Sequence, residues 1–270
     1  MTLRKLKTAR REPSAFSPER SKIRSLLRKA SRGNALSFVL ATASYSNLVS
    51  EYLYVAGITS HSRRMFEVQR VLSDCWRYLP YTRRVSDFER FLQVRLERYP
   101  LERECSFAGE HLPLNELTHE ERFLLVARIF GGWSHKSLRL ALRLSKRELS
   151  EALMSLKCKL VGFRLDTLKA SELAQVLRVS ELLEGELTDK QARHTEKELR
   201  ECYHAHQFKA DWLSYRCELA DLRLSMCMTE ADQNELSERI SQLIRQQPME
   251  KPGFTDSVIN QFSFVRVPTP

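Results

Sequence analysis

The sequence predicts an all-α protein: two small helical domains followed by a third helical segment. Three observations carry that prediction. Glycine and proline are scarce, 8 and 9 among 270 residues, so few positions interrupt a helix. Leu, Glu, Lys and Arg recur at helical spacing along most of the chain, and no stretch alternates as a strand would. Helix starts are also written locally. Thr118 with Glu121, Ser145 with Glu148 and Thr188 with Gln191 all fit the capping box, in which side chains at both ends satisfy free backbone amides.

Taken in order, residues 1–34 are a basic N-terminal arm and helix. Arg4, Lys5, Lys7, Arg10 and Arg11 make the arm either a solvated tail or a nucleic-acid-binding one. Ser17-Pro18-Glu19 then caps a helix that ends at Gly33. The first domain, 35–100, is helical with breaks at Gly57 and at the Pro80–Arg84 loop. Pro100 closes it, because proline lacks the amide donor and restricts the residue before it. Residues 101–113 read as a linker.

The second domain, 114–163, holds three helix starts in quick succession, with Ser134 capping a middle helix after Gly131-Gly132. Two short helices joined by a few residues, the second rich in Lys and Arg, read as a helix-turn-helix. Leu124, Leu125, Ile129, Leu138, Ala141, Leu142, Leu149 and Leu153 would form its core. Lys146, Arg147, Ser150, Glu151, Met154 and Lys157 would be exposed on the last helix, where basic side chains can meet guanine edges or phosphates. The plainer alternative is an amphipathic helix pair with a charged outer face. A third segment, 167–247, turns at Gly185 and continues as helices over 208–228 and 229–247. Residues 248–270 read as a flexible tail.

A hydrophobic content of 42% is enough for real cores, and the net charge of +10 favours polyanionic partners. No apolar run approaches the roughly 20 residues needed to span a bilayer, and the basic N-terminus lacks the apolar core of a secretory signal. A cytoplasmic protein is therefore expected. The six cysteines are scattered and predict buried thiols rather than a disulfide framework. No glycine-rich phosphate loop, G-x-S-x-G, H-E-x-x-H or paired Cys/His cluster is present. The sequence therefore predicts neither an enzyme nor a cofactor.

The stretch LNELTHEERFLLVARIFGGWSHKSLRLALRLSKRELSEALMSLKCKL resembles region 4 of the sigma-70 family, in particular the extracytoplasmic-function (ECF) group of RNA polymerase sigma factors. Gly132-Trp133-Ser134 and Leu144-Ser145 match the family's two turns. The resemblance implies that Lys146, Arg147, Ser150, Glu151 and Met154 read the −35 promoter element. Upstream, residues 48–96 resemble region 2, with Val68, Gln69, Trp76-Arg77-Tyr78-Leu79-Pro80 and Phe88 with Phe91-Leu92 as counterparts. That likeness implies −10 DNA contact through the Tyr81-Thr82-Arg83-Arg84 loop. It also implies docking on the β′ clamp of the polymerase core through Arg63, Phe66, Gln69 and Arg70. Residues 182–223 resemble a helical anti-sigma domain, which implies an intramolecular or partner contact through 167–247.

The chain departs from the family at informative positions. Arg63 and Arg70 stand where the family carries acidic residues, and reversing a charge at an interface can cost several kcal/mol. Arg98 replaces the usual Asn, Arg139 a small Ala and Arg143 a turn Gly. A left-handed backbone there would cost an arginine roughly 1 kcal/mol. Of the family's His-x-x-x-Cys-x-x-Cys pattern, Glu198, Cys202 and Ala205 occupy the positions. Glu198, Cys202 and His206 are then the candidate metal ligands of a zinc-less anti-sigma-like segment, with His194 and His204 nearby. Two readings follow: an ECF-type transcription initiation protein, or a diverged sigma-like regulatory protein that no longer programs polymerase.

Overall fold

The computed structural model describes residues 20–100, 113–199, 201–247 and 249. The basic arm, the Ser17-Pro18-Glu19 cap, all of the 101–113 linker but Pro113, and nearly all of the tail lie outside them. Among the described residues the architecture is all-helical. The helices are α1 (Arg20–Ala30), α2 (Ala35–Val55), α3 (His61–Arg77), α4 (Val85–Glu97), α5 (His119–Leu124), α6 (His135–Leu142), α7 (Lys146–Leu160), α8 (Ala170–Glu184), α9 (Asp189–Glu198), α10 (Tyr203–Met226) and α11 (Glu230–Gln246). A π-helical stretch, Leu125–Phe130, extends α5 without a break.

The centre of the molecule is α2. Asn34 caps it by accepting from the Ser37 amide at 2.8 Å. Fifteen of its 21 residues are buried, from Ser37 and Phe38 to Val55, because it is apolar nearly all round. It packs against α1, α3, α4, α5, α10 and α11. The one large core therefore runs from Ile23 in α1 through Leu153 in α7 to Ile244 in α11, crossing the expected domain boundaries. Arg122 ties the second helical block to the first. Fully buried, it donates to the carbonyls of Leu117 (2.8 Å), Asn115 (3.3 Å) and Val55 at the end of α2.

A smaller core joins Met154 and Cys158 of α7 to Val176 and Val179 of α8, Leu199, Cys202, and Ala205 and Phe208 of α10. The third segment thus folds onto the helix-turn-helix. Its last helix does not join this smaller core. Instead, Leu236, Ile240 and Ile244 of α11 enter the main core, where α11 packs on α2 and α3.

Candidate nucleic-acid interface

The caps expected for the helix-turn-helix are in place. Thr118 accepts from the Glu121 amide (3.2 Å), Ser134 from Ser137 (3.2 Å) and Ser145 from Glu148 (3.2 Å). The Glu148 carboxylate returns the favour to the Ser145 amide at 2.7 Å, which completes the box at the start of α7. Gly132 takes φ 62°, the left-handed conformation its turn needs. Trp133 is buried next to it between Tyr45 and Phe123, with ring centroids 6.1 and 5.9 Å away. In the second turn Arg143 adopts φ 57° and ψ 36°, so the expected left-handed position is occupied by a non-glycine residue.

At the start of α7, Lys146 and Arg147 are exposed, and Arg147 pairs with Glu151 at 2.7 Å. The far side of the helix differs from expectation. Ser150, Met154 and Lys157 are buried, so their assignment as exposed DNA-reading positions is corrected. α8 and α10 pack on α7 and cover Met154 and Lys157. Lys157, with no exposed side-chain surface, reaches Glu184 at 2.6 Å and Ser180 at 2.9 Å and lies 5.8 Å from the Trp212 ring centroid. Met154 enters the smaller core, and the Ser150 hydroxyl is buried with no hydrogen-bond partner.

Glu184, from the LLEGEL stretch of the third segment, is the hub of this cover. Besides Lys157 it pairs with Arg128, whose guanidinium also donates to the Glu184 carbonyl at 3.1 Å. His135 stands 3.8 Å away on its other side. Burial pushes the Glu184 carboxyl up, but His135, Lys157 and Arg128 together hold it well below the usual carboxylate range. Burial conversely lowers the Lys157 ammonium, against the pull of Glu184. Gly185 follows in the left-handed conformation (φ 68°) and ends α8 beside this cluster.

The upstream loop also carries cations. Tyr81 is partly buried against Tyr78, 6.4 Å between centroids, and the Asp87 carboxylate accepts from the Arg83 and Arg84 amides at 3.1 and 2.9 Å. Both arginine side chains are exposed. They face a groove whose other wall is α1, with Arg24 and Arg28. On α3, Arg63, Phe66 and Arg70 are exposed at a three- to four-residue spacing, and Gln69 is half-buried. Arg70 pairs with Glu67 at 3.1 Å over the Tyr99 ring. Trp76 and Phe88 are buried in the core, as residues of their kind usually are.

The structure does not bring the metal candidates together. Glu198 is held by Arg178 (3.1 Å) and His194 (3.2 Å), Cys202 is buried at the start of α10, and His206 faces solvent. No group of three or more His, Cys, Asp or Glu that could hold a metal occurs among the described residues. No described helix is long and apolar enough to cross a membrane. Sequence reasoning missed Glu184, Arg24, Arg28 and Lys136. The four-residue spacing of Arg24 and Arg28 and the Lys136–Arg139–Arg143 series were the available signals. No family model matches the chain, nor does any curated protein or solved structure.

Proposed function

We propose that this protein is a transcription initiation protein of the ECF sigma type, acting in the bacterial cytoplasm. It binds promoter DNA through α7 and the α3–α4 loop, and the polymerase core through the outer face of α3. The observation that supports this most is the capped helix-turn-helix, with Lys146 and Arg147 in the open at the start of its second helix. Glu151, half-buried and paired with Arg147, lies beside them. Tyr81, Arg83 and Arg84 supply the aromatic and basic chemistry that opened DNA requires. Arg63, Phe66, Gln69 and Arg70 form the polymerase face. In this reading the α8–α10 cover is an internal anti-sigma-like element that limits how much of α7 meets the groove.

Full-length protein mixed with bacterial core polymerase should co-elute on size exclusion. Separate elution, together with unchanged promoter-fragment affinity in Lys146→Glu/Arg147→Glu, would end the sigma reading. The alternative, a sigma-like regulatory protein that no longer programs polymerase, is favoured by the exposed Arg63 and Arg70. Core binding that rises in Arg63→Glu/Arg70→Glu would select it, because those changes restore the family's sign.

A further inference from the structure

α10 carries two apolar faces, and the core uses one of them. Its buried positions run from Ala205 and Phe208 to Met226 in alternating steps of three and four residues. They pack on α2, α7 and α8. A second row has the same rhythm and lies two residues, about 200°, round the helix. Tyr203, Ala210, Cys217 and Leu224 are spaced by seven, and His206, Leu213 and Ala220 lie three residues after the first three of them. All seven are exposed, with Tyr203 at 74%, Leu213 at 44% and Leu224 at 76%; His206 is the one strongly polar member. An ordinary surface helix has one apolar stripe and turns polar groups to water on the other side. Here the solvent side repeats over about three heptads, which is the pattern of a coiled-coil seam.

The residues that flank the seam decide what fits on it. Lys209, Arg216 and Arg223 come just before Ala210, Cys217 and Leu224, and Asp221 follows Ala220. Arg223 is taken by Glu51 of α2 at 3.2 Å. Arg216 and Asp221 are exposed, and neither forms an ion pair among the described residues. A parallel copy of α10 would bring Arg216 of each chain to Asp221 of the other, twice about a twofold axis. An antiparallel copy would set the basic row against its own like, a costly juxtaposition. Ala210 and Ala220 leave room for close approach, and the buried face places the rest of each protein on the far side of its helix.

We infer that the outer face of α10 is a dimerisation surface that takes the same face of a second copy of this chain, parallel and in register. The inference goes beyond the proposed function and needs neither DNA nor polymerase. It sets exposed Cys217 opposite its own counterpart in the middle of the seam. Its test is light scattering of the full chain on size exclusion across a dilution series, beside mild oxidation with copper(II)–phenanthroline. Mass should rise with concentration from one chain to two. Oxidation should join the two Cys217 thiols, each giving a proton to solvent and an electron to copper(II), and Cys217→Ser should abolish that link. Leu213→Glu/Leu224→Glu should stay a single chain with an unchanged circular dichroism spectrum, because both side chains are exposed. Asp221→Arg replaces two attractions by two repulsions and should weaken the dimer about tenfold. Adding Arg216→Asp should restore it, a rescue that loss of folding would not allow. A single-chain mass at every concentration would overturn the inference. So would a dimer that survives Leu213→Glu/Leu224→Glu, or one that oxidation does not join through Cys217.

Discussion

The C-terminal helices cover two parts of the molecule, both through apolar contact, and the cover over α7 adds a buried cluster of charges. Over α7 the smaller apolar core is joined by charge, with the Glu184 carboxylate facing Lys157, Arg128 and His135. Over α2 and α3 it is held by apolar contact, with Leu236, Ile240 and Ile244 of α11 in the main core. Polar links there include His61–Asp232 at 3.1 Å, the Trp76 indole donating to the Gln247 carbonyl at 3.0 Å, and Arg223 of α10 on Glu51 of α2. Each cover also has one buried carboxylate, and the two behave oppositely. Burial outweighs the single Arg223 beside Glu51 (3.2 Å) and raises its pKa to about 7, whereas three basic neighbours keep Glu184 low. The number of counter-charges decides which effect wins.

The largest expected effect is at the charged cover. Glu184→Gln leaves Lys157 buried without its carboxylate and should cost about 3–5 kcal/mol in urea denaturation. Because the Glu184 pKa is depressed on folding, its contribution is present above the unfolded value and is lost as pH falls through the folded one. Glu51 works in the opposite sense. Its raised pKa stabilises the fold fully below the ordinary carboxyl value of 4.5, and the gain is lost as pH rises towards about 7. Stability should therefore fall by up to about 3 kcal/mol across that window. Glu51→Gln should remove that fall, leaving the separate one of similar size that Glu89, also raised to about 7, contributes. A denaturation series in pH reads both. The smallest effect belongs to the apolar cover: Ile240→Val removes one buried methyl group and should cost about 1 kcal/mol at every pH. A strong pH dependence of that cost would mean the α11 contact is not simply apolar.

Local features were readable in the sequence, and long-range cover was not. The boxes at Thr118, Ser145 and Thr188 involve residues three apart and formed as expected. The left-handed turn at Arg143 was expected from the family resemblance, which places a glycine at that turn, and it formed. The side of α7 bearing Ser150, Met154 and Lys157 was misjudged for a physical reason. Helical periodicity marks one apolar stripe, Leu149–Leu153–Leu156–Leu160, and a polar neighbouring stripe then reads as solvent-facing. Lys157 is buried only because Glu184, 27 positions later, arrives to neutralise it. Nothing within one or two turns of Lys157 encodes that partner. Likewise, the apolar face of α11 was visible, but not that it would settle on α2 and α3.

The central claim, that charge pins the third segment over α7, is tested most directly by a double-mutant cycle on Lys157→Met and Glu184→Leu in urea denaturation. The account predicts two costly single variants and a double variant no less stable than the worse single, a coupling of about 2–3 kcal/mol. Losses that simply add, within about 0.5 kcal/mol, would contradict it.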